Sequence, residues 1–535
     1  MDYIYIALAF VVVYIPICLY GIYENKKRKN RFLKRLKDEY GAVLQKEYSI
    51  ERLNALTGFY KFHCDNENNI DDVTWNDIAG DDLFKRINYC YSSSGEEYLY
   101  YRLRTLRFHV PSDEKKQLEE RLSYIDSNED ERLQMQYAFA KLGRTGKYSI
   151  FQYVKWLDAV KEKPLWSFWL KWILYIVAIA LLFVNVPVGV VALILVIMFF
   201  LVTYIKTKKE IEPYLISFAY LLRTFEFVEM LPKNKSMRTV WGKEIDELLN
   251  LRKRIKIVSR FRMSMLSKDS GGDPLAEAIK MYLLSMTHFD LFYFYGMLKQ
   301  VKANKDAIDE IITILGRMES EISIASFRRS LEFYSVPEFC DSNSMRVNDA
   351  FHPLVCEPVA NSFDISKGML LTGSNASGKS TFLKTVEICA ILAQTIQTVP
   401  AKDYCAREYR VYSSMALRDN LSEGESYYIV EIKAIKRILD AAQQSKKPVL
   451  CFVDEVLRGT NTVERIAAAA EIMRYLVGEN VLCFAATHDI ELTQLLADVY
   501  DNYHFEEEIE NNDILFPYKL LKGPANTRNA IKLLR

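Results

Sequence analysis

Redox and metal signatures are missing from this 535-residue sequence. Its nine cysteines are scattered without a CxxC pair, and its six histidines form no HExxH or other zinc spacing. A zinc site is excluded, and a reducing compartment fits. An excess of either charge is missing too. The 70 Lys and Arg stand against 69 Asp and Glu, so the chain as a whole lacks the electrostatic footprint of a dedicated nucleic-acid binder. No internal repeat or low-complexity tract appears. The length predicts about three or four domains, with ample material for several cores.

Uncharged stretches are what the chain does have. Tyr3 to Tyr23 carries no charged residue, and Lys26, Lys27, Arg28, Lys29, Arg31, Lys34 and Arg35 follow at once. This reads as a transmembrane anchor with its N-terminus outside. A cleaved signal peptide would place its positive region first, whereas only Met1 and Asp2 precede the apolar run. A second block, Trp172 to Ile205, is uncharged and interrupted by Asn185-Val186-Pro187-Val188-Gly189. It predicts a hairpin of two membrane helices, each a little short for a span, so that tilt or bilayer thinning is implied. A buried soluble hairpin is the competing reading. Lys161, Lys163 and Lys171 before the block, and Lys206, Lys208 and Lys209 after it, put both flanks in the cytoplasm. The expected location is the cell membrane, multi-pass, with most of the chain on the cytoplasmic side. Topology and anionic lipid explain the basic run at 26–37 more simply than DNA does.

Between these blocks, 31–54 is charged and helix-like, and 75–107 brings amphipathic helices with turn signals at Gly80 and Ser92-Ser93-Ser94-Gly95. From Glu210 to Phe333 apolar residues recur at helical spacing, with no proline between Pro232 and Pro274, and Pro337 is taken to end the last helix. From Phe351 onward short apolar runs alternate with helical stretches, which predicts α/β with a mostly parallel sheet. The expected organisation is an anchor at 1–24, a cytoplasmic helical segment at 25–165, a membrane hairpin at 166–206, an all-α region at 207–345 and an α/β domain at 346–535.

One run carries chemistry most directly. Thr372-Gly373-Ser374-Asn375-Ala376-Ser377-Gly378-Lys379-Ser380-Thr381 follows the apolar Met369-Leu370-Leu371 and opens a helix-like segment, the setting a phosphate-binding loop needs. Glycines at 373 and 378 let successive N–H groups turn inward on phosphate oxygens, Lys379 reaches the β/γ-phosphates and Ser380 can ligate Mg2+. Val449 to Val453 is a buried-strand pattern ending in Asp454-Glu455; Asp454 takes the metal role, and Glu455 is the base that activates the attacking water. Val481 to Ala486 ends in Thr487-His488, where His488 reads as a γ-phosphate sensor. Asp419-Asn420-Leu421-Ser422-Glu423-Gly424-Glu425-Ser426 is a polar turn feeding a helix at 427–442, suited to a phosphate or to an ordinary N-cap.

In order along the chain, these segments resemble the ATPase domain of the MutS mismatch-repair family. Phe351-His352-Pro353-Leu354 is similar to the segment that opens that domain, Thr372 to Thr381 to its phosphate loop, and Val399-Pro400-Ala401 to the tripeptide after its first helix. Asp419-x-Leu421-Ser422 through Ser426 and Glu431 resembles its signature segment. Asp454-Glu455-x-x-Arg458-Gly459-Thr460-Asn461-Thr462 resembles its acidic strand and following loop, and Thr487-His488 with Glu491-Leu492-Thr493 completes the series. Upstream, 71–77 and 95–100 look like the start of the family's core helical domain, and Glu319 to Phe339 like its last helix. The hairpin would sit in that domain as an insertion. The resemblance implies a P-loop ATPase using ATP and Mg2+, a homodimer in which each Ser426 contacts the nucleotide held by the other subunit, and double-stranded DNA as a partner.

Departures from the pattern refine this. Ser374 stands where family members usually have proline, and an apolar run and basic helix occupy the place of the mismatch-reading domain. Phe225-Glu226 and Phe227-Val228-Glu229 read as core-facing helix residues. Base-specific reading of DNA is therefore not expected, and no aromatic residue near 358–361 is available for the adenine. Two other functions compete: a membrane sensor or scaffold with an unidentified protein partner, and an ABC-type transporter subunit suggested by Leu421-Ser422-x-Gly424. Too few positions separate Lys379 from Ser422 for a transporter's helical subdomain.

Overall fold

The computed structural model describes residues 2–65, 67–145, 148–255, 282–374, 377–415, 427–457, 461–478, 480–510 and 513–525. Its first part is helical: α1 (Asp2–Glu39), α2 (Ile50–His63), α3 (Asp72–Asp77), α4 (Gly80–Ile87), α5 (Ser93–Arg104), α6 (Ser112–Ser127), α7 (Glu129–Leu142), α8 (Ile150–Ala159), α9 (Trp166–Val184), α10 (Val186–Met230), α11 (Lys235–Arg254), α12 (Phe289–Ala303) and α13 (Lys305–Arg329). The α5–α13 pair forms its centre, for a reason visible at Gly95. The Ser92 hydroxyl caps α5 by accepting from Gly95 N (3.1 Å), while Tyr91 N and Ser92 N donate to Glu319 Oε1 at 2.6 and 3.1 Å. A Cβ on Gly95 would fall 2.1 Å from Glu319 Oε2, so only glycine lets the buried carboxylate dock there.

The apolar hairpin differs from its prediction. Its turn is Asn185 alone, whose side chain accepts from Val188 N (3.4 Å); Val186 to Gly189 already belong to α10, with Pro187 in the first turn, where its missing N–H costs nothing. Gly189 lies against the α9 backbone, since an added Cβ would stand 2.5 Å from Leu182 N. The arms are also longer than expected. Trp166–Val184 (19 residues) and Val186–Glu212 (27 residues) are each long and apolar enough to cross a membrane by length and composition. Only 11% and 17% of their most apolar stretches are buried. The boundary at 206 is not a break: α10 runs on for 45 residues, roughly 68 Å, into the helical core, where Phe225, Phe227 and Val228 are buried.

Two other boundaries move. The helix entering 31–54 stops at Glu39, and α2 starts only at Ile50. The last helix ends at Arg329, before Pro337, and Glu338–Phe339 is a strand, so the sheet region begins ahead of 346.

The remainder is mixed α/β. Strands β1 (Glu338–Phe339), β2 (Met345–Ala350), β3 (Asn361–Ile365) and β5 (Asp403–Ala406) form one sheet in the order β1-β5-β2-β3. Strands β4 (Gly368–Thr372), β6 (Arg410–Ser414), β7 (Val449–Asp454), β8 (Val481–Ala486), β9 (Tyr500–Phe505) and β12 (Leu520–Lys522) form another in the order β12-β9-β4-β8-β7-β6, parallel except for β12. A small hairpin, β10 (Glu508–Glu510) with β11 (Asp513–Leu515), lies apart. The intervening helices are α14 (Lys379–Ile396), α15 (Tyr427–Gln444), α16 (Thr462–Tyr475) and α17 (Glu491–Leu495). Strands β4, β7 and β8 are buried throughout, as parallel strands covered on both faces must be. Alternation divides their side chains: Met369 and Leu371 join the core shared with the helical part, and Leu370 joins a second core under α15 and α16.

Polar contacts fasten the two parts. Arg328 of α13 donates to both Glu119 oxygens (2.7 Å each), to Thr398 Oγ1 (2.8 Å) and to Gln397 O (2.7 Å). Asp77 of α3 accepts from Ser413 Oγ (2.8 Å) and Met415 N (2.9 Å) at the end of β6.

Candidate functional site

The end of β4 turns into α14 through a loop that requires glycine at both ends. Gly373 has φ +143° and Gly378 φ +102°, and added Cβ atoms would stand 2.7 Å from Phe505 O and 2.9 Å from the Tyr518 ring. Lys379, 5% exposed, donates from Nζ to Gly373 O (2.8 Å) and Ser374 O (2.7 Å), curling its ammonium back over the loop. Ser380 donates to Asp454 Oδ2 at 2.5 Å, which joins a hydroxyl and a carboxylate, the hard oxygens a divalent cation of the magnesium class takes.

Strand β7 delivers Asp454 and then bends sharply. Glu455 has φ +59°, a conformation costing on the order of 1 kcal/mol for a residue with a Cβ, and its N–H donates to Ala486 O (2.9 Å). The bend brings its Oε1 within 2.6 Å of His488 Nε2. His488 is positioned from β8: Thr487 N donates to Leu371 O (2.9 Å), and Asp489, which follows His488, is gripped by both arms of the Arg465 guanidinium (2.9 and 2.6 Å).

These side chains face one cavity of about 490 Å3. Ser374, Ser377, Gly378, Lys379, Ser380, Thr381, Asp454, Glu455 and His488 all line it, and Gly373 shapes the loop at its edge. The Ser377 hydroxyl is buried without a hydrogen-bond partner among the described residues. Asn375, Ala376 and Ser426 lie outside the described residues, as do the rest of 416–426 and Arg458 to Thr460.

Four rings in the wall were not anticipated: His352, Phe382, Phe505 and Tyr518. The 358–361 strip has no aromatic ring, yet Tyr518 reaches the cavity from far along the chain. Asn361 holds it there, donating to Tyr518 O (3.0 Å) and accepting from Leu520 N (2.8 Å). No local pattern marks Tyr518, because its place depends on β12 pairing with β9. His352 stood in a recognised segment but without a role. Burial lowers its pKa to about 4, so at neutral pH the ring is uncharged, and its Nδ1 accepts from Leu354 N (3.3 Å).

The chemistry on offer is a helix N-terminus with an ammonium group, a hydroxyl–carboxylate pair, a carboxylate–imidazole pair and a wall of rings.

Comparison with known proteins points the same way. Residues 369–534 match the family model described as MutS domain V. The chain is 32% identical over 217 residues to MutS protein homolog 4 of Homo sapiens, covering 37% of this chain and 23% of that protein. It is 31% identical over 213 residues to the DNA mismatch repair protein MutS of Pseudothermotoga lettingae (37% and 26%) and 32% identical over 241 residues to that of Thermosipho melanesiensis (43% and 29%). The chain thus spans less than a third of the length of these relatives. Glycine loop, acidic strand end and histidine strand end thus assemble around one cavity inside the segment that is similar to domain V of the MutS family.

Proposed function

We propose that this cavity binds ATP with Mg2+ and hydrolyses it, as the switch of a membrane-anchored, dimeric protein that engages duplex DNA. The observation that supports this best is the convergence of the Ser380–Asp454 pair and the Glu455–His488 pair on the cavity that the glycine loop opens.

Lys379 leaves the loop carbonyls to meet phosphate oxygens, and the N–H groups at the start of α14 surround the rest of the polyphosphate. Ser380 and Asp454 are the residues that would hold the metal. The bound metal supplies charge neutralisation on the phosphates. Glu455 accepts the proton of the attacking water, and His488, hydrogen-bonded to it, registers the terminal phosphate. Tyr518 and the uncharged His352 offer faces for the adenine. Ser426 of each subunit completes the other subunit's site.

The mismatch-repair names of two relatives support DNA as a partner. Duplex binding here runs through the phosphate backbone, without mismatch reading. The exposed apolar faces of α9 and α10 favour a bilayer over a buried soluble hairpin. Near-neutral net charge favours one second reading: a membrane sensor that uses the same ATP site on a protein partner.

ATP turnover by the full chain in lipid nanodiscs, with and without duplex DNA, tests both. Lys379→Ala is expected to abolish nucleotide binding, and DNA to raise wild-type turnover. Full turnover in Lys379→Ala would overturn the site, and indifference to DNA would leave the protein-partner reading.

A further inference from the structure

A second cavity, of about 270 Å3, lies between α5, α6, α11 and α13, and Gln397, the residue that ends α14, closes it. Arg102, Arg107, Arg121 and Arg317 line it against only three carboxylates, Glu114, Glu244 and Glu321. Arg107 pairs with Glu114 at 2.5 Å, and Arg121 is held by Glu244 and, at 3.3 Å, by Glu321. Among the described residues, Arg102 and Arg317 have no carboxylate partner. Arg102 is 6% exposed, and its one hydrogen bond runs from Nε to Thr395 O (3.0 Å), leaving its Nη donors to the cavity. Arg317 Nε is buried and unpaired, and so are two acceptors in the same wall, Gln397 Oε1 and Glu244 Oε2. Unpaired buried polar atoms are rare and costly. Here donors and acceptors are orphaned around one space.

We infer that this cavity binds a small phosphomonoester bearing hydroxyl groups. Two guanidinium forks with no carboxylate in ion-pair contact match a dianion. The orphaned acceptors call for O–H donors, which a sugar phosphate has and a plain dicarboxylate lacks. The Tyr98 and Tyr101 rings, with centroids 5.9 Å apart, supply a face for a sugar ring to lie on. Burial lowers the Arg102 pKa, opposed by Tyr98 and Glu321 and reinforced by the guanidinium groups of Arg107 and Arg317. Because Arg102 grips Thr395 and Gln397 forms part of the wall, an occupant bridges the helical core and the far end of the helix that begins at the glycine loop.

Titration calorimetry of the full chain in nanodiscs tests this. The Lys379→Ala background removes the phosphate loop's cation, so that binding at the first cavity does not contribute. Ribose 5-phosphate is expected to bind at one site, about tenfold or more tighter than succinate, and to lose about tenfold or more in affinity when Arg317→Gln is added. Arg317 has no ion pair to lose, so that variant should keep its melting temperature. Failure of ribose 5-phosphate to bind, or equal binding of succinate, overturns the proposal. Affinity unmoved by both Arg317→Gln and Arg107→Gln in folded protein overturns it as well.

Discussion

At the residue scale, Glu455 is held where its backbone conformation is unfavourable, by the bond to Ala486 and the contact with His488. Strain of this kind survives when the surroundings over-determine it. If Glu455 is the base, Glu455→Gln keeps the shape and the ATP affinity but slows turnover about 100-fold or more; equilibrium nucleotide binding combined with single-turnover phosphate release checks this, and normal turnover removes Glu455 from the role. Titration of the core gives a second prediction. Burial raises the pKa of Glu97 to about 8, opposed by hydrogen bonds from Ser149 and Ile150, and that of Glu319 to about 7. Both folded values lie above the unfolded carboxylate value. The native state therefore keeps protons that the unfolded chain releases, and the stability these groups contribute is full below about pH 4.5 and lost as pH rises toward 8. Glu97→Gln should flatten the fall in melting temperature between pH 5 and 8; an unchanged slope in thermal melts would refute this.

At the scale of elements, the hairpin shows how a single atom sets a crossing. Gly189 brings α10 against the α9 backbone at Leu182. Gly189→Val places side-chain atoms where Leu182 N stands, and overpacking of this kind costs about 1–3 kcal/mol. Spin labels on the two arms near the turn should move apart in the variant, with a lower melting temperature in detergent; an unchanged distance distribution would show that the arms do not depend on this contact. The turn itself was legible only in part. Asn-x-Pro-x-Gly signals a break, yet Pro187 fits a first helical turn as well as a loop, and packing chose the helix. The end of α13 was misplaced for a similar reason: helical spacing continues past Arg329, but the chain there is drawn toward β1 and its pairing with β5.

For the whole molecule, α10 is the element that matters most, since one continuous helix carries the exposed apolar stretch and then enters the helical core. A membrane beneath this protein would thus be connected to the helical core without a flexible joint. If duplex DNA is the partner and its backbone is what is held, affinity should fall roughly tenfold or more between 50 and 200 mM salt and be equal for matched and mismatched duplexes. Fluorescence anisotropy on nanodisc-embedded protein measures both, and a strong mismatch preference would contradict the reading.

Sequence by itself determined what rests on neighbours in the chain. The glycine loop, the acidic pair after an apolar strand, Thr487-His488 at the end of another and the long uncharged blocks are all local patterns, and the structure gathers the first three around one cavity. Tertiary structure alone decided the rest. Tyr518 enters that cavity through strand pairing and the Asn361 clamp, and Arg102 and Arg317 share the second cavity because Gly95 and Glu319 let α5 and α13 meet. Such neighbours are set by which buried faces fit together, and packing of that kind leaves no periodic signal along the chain.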